Sequence, residues 1–428
     1  MTDMNFAALG VRGELVAALR EQGLTTPTPV QAQAIPELLA GRDAIVQAQT
    51  GTGKTLAFVL PLLQRVDPDK PYSQALIITP TRELAIQIYG EVAKLAPALD
   101  ISSLPVYGGQ DVVAQAHRLQ GSGAHVIIGT PGRLGDHLRR ETIDLSRLSV
   151  LVLDEADQML ALGFLDEVES IVRMTPTSRQ TLLFSATMPE PVRRMAAAYL
   201  RQPADVRVRG RDITLEAIRQ TLVETTDRAK QQTLLDLLKR YRPYLAVIFC
   251  RTKIRAKKLT EALRAHGLNV DELHGDLTQA RREDVMRRFR SGDIRLLVAT
   301  DVAARGLDVE GVTHVFNYDI PHDADSYIHR IGRTGRAGQR GFAFTLAAPR
   351  DSAFVQAIEK GIGTALERKS AAAFREPEQR SERGGPERRN GPGGQQRKQG
   401  GLRTAGGRGA ANPKPKFGIR KRKERNPR

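Results

Sequence analysis

Residues 43–63 read DAIVQAQTGTGKTLAFVLPLL, and this stretch decides the fold. The β-branched run at 43–47 predicts a buried strand, and the apolar run that follows Lys54 predicts a helix. A glycine-rich turn in this context lets backbone N–H groups wrap phosphates, while a lysine reaches the outer phosphates and a hydroxyl binds Mg²⁺. The stretch therefore indicates a nucleotide site, with the candidate ligands Thr50, Gly51, Thr52, Gly53, Lys54 and Thr55.

One position departs from the general pattern of such loops. Ala48 stands where the first glycine is usual, so a glycine-rich turn without a ligand is the alternative. The Gly-Lys-Thr at the correct offset between strand and helix favours the nucleotide site.

A second motif lies about a hundred residues downstream, where the strand pattern at 150–153 leads into Asp154-Glu155-Ala156-Asp157. A carboxylate at the tip of a buried strand beside a phosphate loop is placed to hold Mg²⁺, which makes Asp154 the metal candidate. Glu155 would polarise the attacking water, and Asp157 would tie this segment to neighbouring loops. The alternative is an acidic turn that opens a helix and is favoured by the helix dipole.

Strand patterns alternate with longer helical patterns along the chain, which is typical of parallel α/β units. Strands are predicted at 43–47, 75–79, 125–129, 150–153, 181–184 and 206–209, and then at 221–224, 245–249, 270–273, 295–299, 314–318 and 342–346. The predicted fold class is α/β, with two tandem doubly wound parallel-sheet domains. We expect these domains at 1–208 and 213–365, followed by a tail at 366–428.

Charge is concentrated at the end of the chain. The 428 residues include 65 Lys and Arg against 48 Asp and Glu, a formal net charge of +17. Residues 376–428 hold 16 of the cationic residues and 5 Glu, but only three Leu, Ile, Val or Phe. Such a segment cannot bury enough apolar surface to fold, so the Gly/Arg/Lys-rich tail is predicted to be disordered. Its charge favours a polyanionic partner, bound in a salt-sensitive way.

The cysteine count and the hydropathy pattern favour a cytoplasmic protein. Cys250 is the only cysteine, which excludes an internal disulfide framework and cysteine-rich zinc sites. The longest apolar run, 56–63, is far shorter than the ~20 residues that a bilayer-spanning helix needs. We also expect no secretory signal at the start of the sequence, and no membrane partner.

The tetrapeptide Asp-Glu-Ala-Asp at 154–157 is the signature of the DEAD-box RNA helicases, and the other motifs resemble that family in order. The stretch 23–31, GLTTPTPVQ, is similar to the family's Q motif. The resemblance implies two RecA-like domains with ATP and Mg²⁺ as cofactors, in which Gln31 reads the adenine edge and Phe6 stacks on the ring. Leu24 replaces the usual Phe or Tyr, a departure that would weaken nucleotide affinity or adenine selectivity without abolishing either.

Several short motifs match the family's RNA-contact segments. In the first half these are 80–85 (PTRELA), 108–109 (GG) and 130–133 (TPGR), and in the second half 251–252, 274–276 with Gln279 and Arg282, and 299–308 (ATDVAARGLD). Helix-start and glycine N–H groups beside a hydroxyl or an arginine suit phosphate oxygens and do not read bases; ordinary helix capping is the alternative for any one motif. The resemblance implies RNA contacts at Thr81, Arg82, Gly109, Thr130, Arg133, Arg251, Thr252, Gly275 and Thr300.

The last motif is 329–336, HRIGRTGR. Arginines that donate forked hydrogen bonds to a phosphoryl transition state are known as arginine fingers, and we assign that role to Arg333 and Arg336. The predicted catalytic set is Lys54, Asp154, Glu155, Arg333 and Arg336, and the resemblance adds Gly306 and Asp308 as nucleotide contacts. It also implies that Ser185, Thr187, Asp157 and His329 couple the ATP state to domain closure.

The predicted function is that of an ATP-dependent RNA helicase, which couples ATP binding and hydrolysis to local RNA duplex unwinding and RNP remodelling. The short core and basic tail resemble bacterial RhlE-type members of the family. One alternative is an RNA-binding scaffold or annealing chaperone that acts mainly through the basic tail. Another is a DNA helicase with the same two ATPase domains. Lys54 and Glu155 argue against a scaffold, since a scaffold needs no hydrolytic machinery.

Overall fold

The structure is a computed structural model that describes residues 5–48, 51–208, 217–304, 309, 311–335 and 340–375. The strands of the first half are β1 Ala44–Gln47, β2 Ala75–Ile78, β3 Ser103–Val106, β4 Val126–Gly129, β5 Val150–Leu153, β6 Gln180–Ser185 and β7 Ala204–Arg207. Those of the second half are β8 Ile218–Glu224, β9 Leu245–Cys250, β10 Val270–Leu273, β11 Leu296–Thr300, β12 Val312–Asn317, β13 Gly341–Ala347 and β14 Glu367–Ser370.

The helices pack around these strands. In the first half they are α1 Gly13–Glu21, α2 Pro29–Leu39, α3 Lys54–Arg65, α4 Arg82–Leu95, α5 Val112–Ser122, α6 Pro131–Arg139, α7 Ala156–Ala161, α8 Leu165–Arg173 and α9 Glu190–Tyr199. In the second half they are α10 Lys230–Tyr241, α11 Lys253–Ala265, α12 Gln279–Arg290, α13 Asp301–Ala304, α14 Ala324–Ile331 and α15 Ser352–Ile362. Within the described ranges, no helix combines the length and the apolar character that a bilayer crossing requires.

The first sheet is parallel throughout, with the strand order β3-β4-β2-β5-β6-β1-β7. Successive residues of a strand face opposite sides of a sheet, and both sides are covered here. In β5, Val150 and Val152 belong to one apolar cluster, while Leu151 and Leu153 belong to the cluster on the other face. This double burial explains why the strands are continuous apolar runs, and it confirms the doubly wound prediction.

The strand order decides which loops meet. Strands β5, β6 and β1 are neighbours, so the segments that follow their carboxyl ends lie side by side. Those segments are the glycine-rich loop after β1, the acidic motif after β5 and the Ser-Ala-Thr segment at the end of β6. Ligands of open α/β sheets bind at this edge, beyond the carboxyl ends of the strands.

The second sheet repeats the first strand by strand. Its order is β10-β11-β9-β12-β13-β8-β14, again all parallel, which is the first order with every number raised by seven. The two-domain α/β architecture predicted from the sequence is therefore confirmed.

Strand β14 lies within the stretch 366–428 that was predicted as the tail. Residues 367–370 pair with β8, and the following residues bury Ala371 and Phe374 against the second core. The Arg240 guanidinium lies 5.7 Å from the centre of the Phe374 ring. Residues 367–374 are thus packed on the second sheet and its core, whereas the predicted disorder of 376–428 falls outside the described residues.

Candidate functional site

The glycine-rich loop presents a buried cation. Lys54 is the first residue of α3, and the Gly53 before it has a left-handed φ of 90°, a conformation that favours glycine. Lys54 is 7% exposed, and its Nζ has no hydrogen-bond partner in the described part of the chain. A buried ammonium without a partner is costly unless an anion binds there, so this cradle fits the outer phosphates of a nucleotide.

The other predicted nucleotide ligands of the loop are described in part, and their roles stay predictions. Gly51 also has a left-handed φ, of 85°, while Thr52 and Thr55 are half-buried. Thr50 lies outside the described residues.

Two buried carboxyl groups follow β5. Burial raises the pKa of Asp154, and the nearby Lys54 ammonium opposes that rise. Burial and the Asp154 charge raise the pKa of Glu155 to about 7. Glu155 also holds a left-handed φ of 55°, which is uncommon for a residue with a side chain and typical of functional sites. Its Oε2 lacks a hydrogen-bond partner in the described structure.

Oxygen ligands for Mg²⁺ are present at this point. The Thr55 hydroxyl belongs to the first turn of α3, and the Asp154 carboxylate directly follows the last residue of β5. A hydroxyl and a carboxylate, with phosphate oxygens and waters, are the donors that Mg²⁺ prefers. No cluster of three or more His, Cys, Asp or Glu suited to a metal occurs within the described residues.

An arginine of the second domain faces this site. Arg333 is 4% exposed, its Nε donates to the carbonyl of His329 at 3.1 Å, and its charge lowers the pKa of Glu155. The second domain thus adds a cation to the acidic pair of the first. The other predicted contacts of this half, Gly306, Asp308 and Arg336, lie outside the described residues.

The predicted Q motif is tied directly to the phosphate loop. Gln31 Oε1 accepts from the backbone N–H of Thr28 at 2.8 Å, and its Nε2 donates to the carbonyl of Gly53 at 3.0 Å. A Cβ at Gly53 would lie 2.6 Å from that Nε2, so glycine is required by close approach as well as by φ. Phe6 is 2% exposed and packs in the first core, and Leu24 is partly exposed; their roles toward adenine stay predictions.

The four predicted coupling residues are brought together. Asp157 Oδ2 accepts from both the N–H and the hydroxyl of Thr187 at 2.8 Å. The Ser185 hydroxyl accepts from the Asp157 N–H at 3.1 Å and donates to the Thr187 carbonyl at 2.7 Å. His329 of the second domain lines the same cavity of about 500 Å³ as Asp157 and Thr187. The acidic motif, the Ser-Ala-Thr segment and the second domain therefore share one contact region.

Arg82 lies over the glycine pair. A Cβ at Gly109, whose φ is 90°, would stand 2.5 Å from Arg82 Nη1, and one at Gly108 would stand 3.0 Å from Nη2. Arg82 Nη1 also donates to Gln279 Oε1 of the second domain at 3.2 Å. The glycines are needed because the guanidinium occupies the space that side chains would take.

Arg133 is held by Gln115, a residue that the motif analysis did not single out. Arg133 Nη1 donates to Gln115 Oε1 at 2.6 Å and to the carbonyl of Gln110 at 3.1 Å. Gln115 is buried, its Nε2 donates to the carbonyl of Tyr107, and its Oε1 lies 3.2 Å from Nε2 of His137. One amide thus links the segment before the glycine pair with the arginine of the TPGR motif.

The predicted RNA-contact threonines differ in what their hydroxyls do. Thr81 accepts from Leu84 N and Thr252 accepts from Arg255 N, both at 3.3 Å, so each caps a helix as the alternative interpretation expected. Thr130 also precedes a helix, but its side chain makes no capping bond.

The second domain contributes three further predicted contacts. Arg251 is exposed and its Nη2 donates to the carbonyl of Ile320 at 3.3 Å. Gly275 is exposed, with nothing within 4 Å of a Cβ built on it, and Thr300 is half-buried at the carboxyl end of β11. The buried Cys250 is a packing residue, because burial raises the pKa of its thiol and keeps it protonated.

A salt bridge joins the two domains beside Arg82. Arg282 Nε and Nη2 donate to Glu83 Oε1 at 2.8 and 2.7 Å. Both side chains are largely buried, at 13% and 9% exposure. Glu83 is the second functional residue that sequence reasoning missed; its position inside the PTRELA segment was the available signal, but its partner is 199 residues away.

Comparisons with known proteins agree with this geometry. The family model "DEAD/DEAH box helicase" matches residues 28–195 and "Helicase conserved C-terminal domain" matches 229–338. The DEAD-box ATP-dependent RNA helicase CshA of Bacillus licheniformis is 47% identical over 373 residues, 87% of this chain and 76% of that protein. CshA of Bacillus subtilis is 47% identical over 365 residues, covering 85% and 74%.

Solved structures are similar over most of the chain. S. cerevisiae Dbp5 bound to RNA and ADP BeF3 has a TM-score of 0.78 at 33% identity, covering 86% of this chain and 96% of that one. Mss116p bound to ssRNA and AMP-PNP has a TM-score of 0.80 at 29% identity, covering 88% and 80%. The predicted RecA-like fold, ATP and Mg²⁺ cofactors and RNA partner are confirmed, whereas the RhlE-like type stays a prediction. On the site and on these matches, the chain belongs to the DEAD-box ATP-dependent RNA helicases.

Proposed function

We propose that this DEAD-box RNA helicase hydrolyses ATP at a site divided between its two domains. Lys54, Asp154 and Glu155 belong to the first domain and Arg333 to the second. The observation that carries the proposal is the buried Lys54 ammonium without a hydrogen-bond partner, beside two buried carboxyl groups that Arg333 faces. Because the groups come from both domains, hydrolysis requires the domains to meet.

Each residue has a distinct role in the proposed reaction. Lys54 binds the outer phosphates, and Thr55 and Asp154 would hold Mg²⁺, which neutralises phosphate charge when bound. Glu155 orients and polarises the attacking water. Arg333, together with the predicted Arg336, donates forked hydrogen bonds to the charge that develops on the transferred phosphoryl group.

We also propose that RNA is bound through its backbone. The predicted contacts combine arginines, glycine N–H groups and helix starts, which suit phosphate and sugar oxygens rather than base edges. The Arg82–Gln279 and Glu83–Arg282 contacts support a role of RNA in closure, because they join the domains next to the proposed RNA contacts. ATP and RNA would then favour the same closed state, and each would raise the affinity for the other.

The domain bounds and the compartment are proposals of the same kind. We place the first domain at 1–208 and the second at 213–375, with the basic segment 376–428 adding sequence-independent, salt-sensitive RNA affinity. The low cysteine content supports a reducing compartment such as the bacterial cytoplasm.

The proposal is tested by ATP hydrolysis with and without single-stranded RNA. We expect strong RNA stimulation in the wild type, and its loss by a factor of at least ~10² in Glu155→Gln and Arg333→Ala. Lys360→Ala, an exposed position on α15, serves as the control and keeps wild-type rates. If Arg333→Ala hydrolyses ATP normally, the divided site is wrong.

A deletion separates the helicase from the scaffold alternative. Removing 376–428 leaves RNA-stimulated hydrolysis in a helicase, since every proposed catalytic residue lies before this segment. A scaffold driven by the tail loses its activity altogether. All-DNA strands in place of RNA test the third option, because 2′-OH contacts distinguish the two.

A further inference from the structure

A cavity of about 940 Å³ opens on the second domain, at the edge of the sheet opposite the ATP site. It is formed by the end of α10, the turn between α11 and β10, and the residue that precedes β11. Arg295 lies at the amino end of β11, whereas the proposed RNA contact Thr300 lies at its carboxyl end, about 16 Å away for a five-residue strand. The cavity is therefore separate from the nucleotide and RNA contacts.

The floor of this cavity is apolar. Leu235 and Leu238 of α10 and Leu296 of β11 are buried, and Leu268 in the turn before β10 is half-buried. These four leucines can accept an aliphatic or aromatic side chain, whose removal from water would favour binding.

The rim carries unpaired positive charge. Lys239, Arg242 and Arg295 are exposed, and no ion pair or side-chain hydrogen bond engages any of them in the described part of the chain. No Asp or Glu is among the described residues that line the cavity. Asp236 and Asp293, the carboxylates nearest in sequence to Lys239 and Arg295, form no ion pair with them in the described chain: Asp236 accepts from the lining residue Gln232, and Asp293 accepts from Ser291.

Other arginines of this domain show that the lack of pairing is not general. Arg264, Arg281 and Arg288 converge on the buried carboxylate of Asp271, at 2.6, 2.8 and 3.0 Å. A cationic rim over a leucine floor, without internal carboxylates, is complementary to an acidic ligand that also carries apolar side chains.

We propose that this cavity docks an acidic peptide segment of a partner protein, anchored by a leucine or phenylalanine on the leucine floor. The leucine floor favours a peptide over nucleic acid, because a phosphate backbone has no aliphatic side chain to bury there, and the described residues that line the cavity include no Phe, Tyr or Trp on which a base could stack. The chain's own segment 376–428 is unsuited too, since its net positive charge is repelled by the rim. The site thus recruits a protein without occupying the ATP or RNA surface.

The test uses the full chain and a fluorescein-labelled peptide, EEDLLEEDLFEE, with EEDSSEEDSSEE as a probe of equal charge. We expect the leucine peptide to bind at least about tenfold more tightly than the serine peptide. Lys239→Glu combined with Arg295→Glu weakens the leucine peptide about tenfold or more, while RNA-stimulated ATP hydrolysis stays within twofold. Lys257→Glu combined with Lys360→Glu is the matched control, since both lysines are exposed and unpaired in the described structure, and it changes peptide binding less than twofold.

Three results would overturn the docking site. Equal binding of the two peptides would show that the leucine floor does not contribute to binding. Equal losses of peptide affinity in the two double variants would show that binding depends on net charge alone. Displacement of the peptide by twelve-residue poly(U), with matching loss of RNA affinity in the cavity variant, makes the surface an RNA-binding face instead. If the Glu double variant fails to fold, as judged by thermal melting, Lys239→Gln with Arg295→Gln repeats the comparison.

Discussion

The energetic contribution of the Glu83–Arg282 salt bridge to domain closure can be measured. Two charge-assisted hydrogen bonds of 2.7 and 2.8 Å end on one carboxylate oxygen, between side chains that are largely buried. Breaking a fully buried pair costs about 3–5 kcal/mol when one partner stays unpaired. Here the open state lets the remaining group rehydrate, so we expect a coupling energy of about 2 kcal/mol, or about 30-fold in an equilibrium constant.

A double-mutant cycle isolates this coupling. Glu83→Ala, Arg282→Ala and the double variant are compared with the wild type by fluorescence anisotropy of labelled single-stranded RNA, with and without AMP-PNP. With the analogue, each single variant should bind RNA about 30-fold more weakly, and the double variant little worse than either. Arg282→Lys keeps the charge but loses the forked geometry, and should fall between.

The nucleotide-free measurement decides whether closure is involved. Without AMP-PNP, the same variants should change RNA affinity less than about threefold, because the domains are then not held together. Additive losses, or equal losses in both conditions, would refute the reasoning and leave Glu83 as a helix-start carboxylate in α4 that stabilises its own domain alone.

Three further changes test other contacts. Gly109→Ala should lower RNA affinity about tenfold by displacing Arg82, whereas Gly90→Ala, where a Cβ meets nothing within 4 Å, should not. Gln115→Leu should weaken RNA binding about tenfold, the value of one charge-assisted hydrogen bond, and leave the KM for ATP unchanged. His314 lies against Phe342 at 4.9 Å, and burial lowers its pKa to about 4, so the folded state keeps it neutral and binds fewer protons than the unfolded state. Protonation of this residue should therefore lower the free energy of unfolding by about 2 kcal/mol between pH 7 and pH 5. His314→Phe should remove that part of the pH dependence, as measured by urea titrations. If the free energy of unfolding of His314→Phe changes with pH as much as that of the wild type, the reasoning is wrong.

The sequence predicted what is encoded locally. The strand at 150–153 and the acidic motif after it are adjacent in the chain, and the strand appears with those bounds. Two of the four edge strands were missed, for a physical reason: β3 contains Pro105 and is only partly buried, and β14 has the sequence ERKS without an apolar residue. Such strands are defined by their hydrogen-bonded neighbour rather than by their own hydropathy.

Contacts between distant segments were also beyond sequence reasoning. The motif analysis recognised Arg133 but not Gln115, because an amide near the start of a helix carries no local sequence pattern that identifies its four hydrogen-bond partners. It named Arg282 without its partner, since the pairing depends on how the two domains meet. The functional residues within a motif were predictable, whereas the distant residues that hold them in position were not.

The equal strand order of the two sheets has a consequence for stoichiometry. Lys54 opens the helix after β1, and Lys230 opens the helix after β8, so the two lysines occupy corresponding places in a pseudo-symmetric pair. Lys230 is as buried as Lys54, but Asp351 lies 3.3 Å and Asp227 3.7 Å from its Nζ. Carboxylates of the protein itself fill the role that a phosphate would have in the first half. The chain should therefore bind one ATP molecule and not two. In the second half, Asp351 and Asp227 neutralise the lysine that corresponds to Lys54, and this half contributes Arg333 to the site of the first.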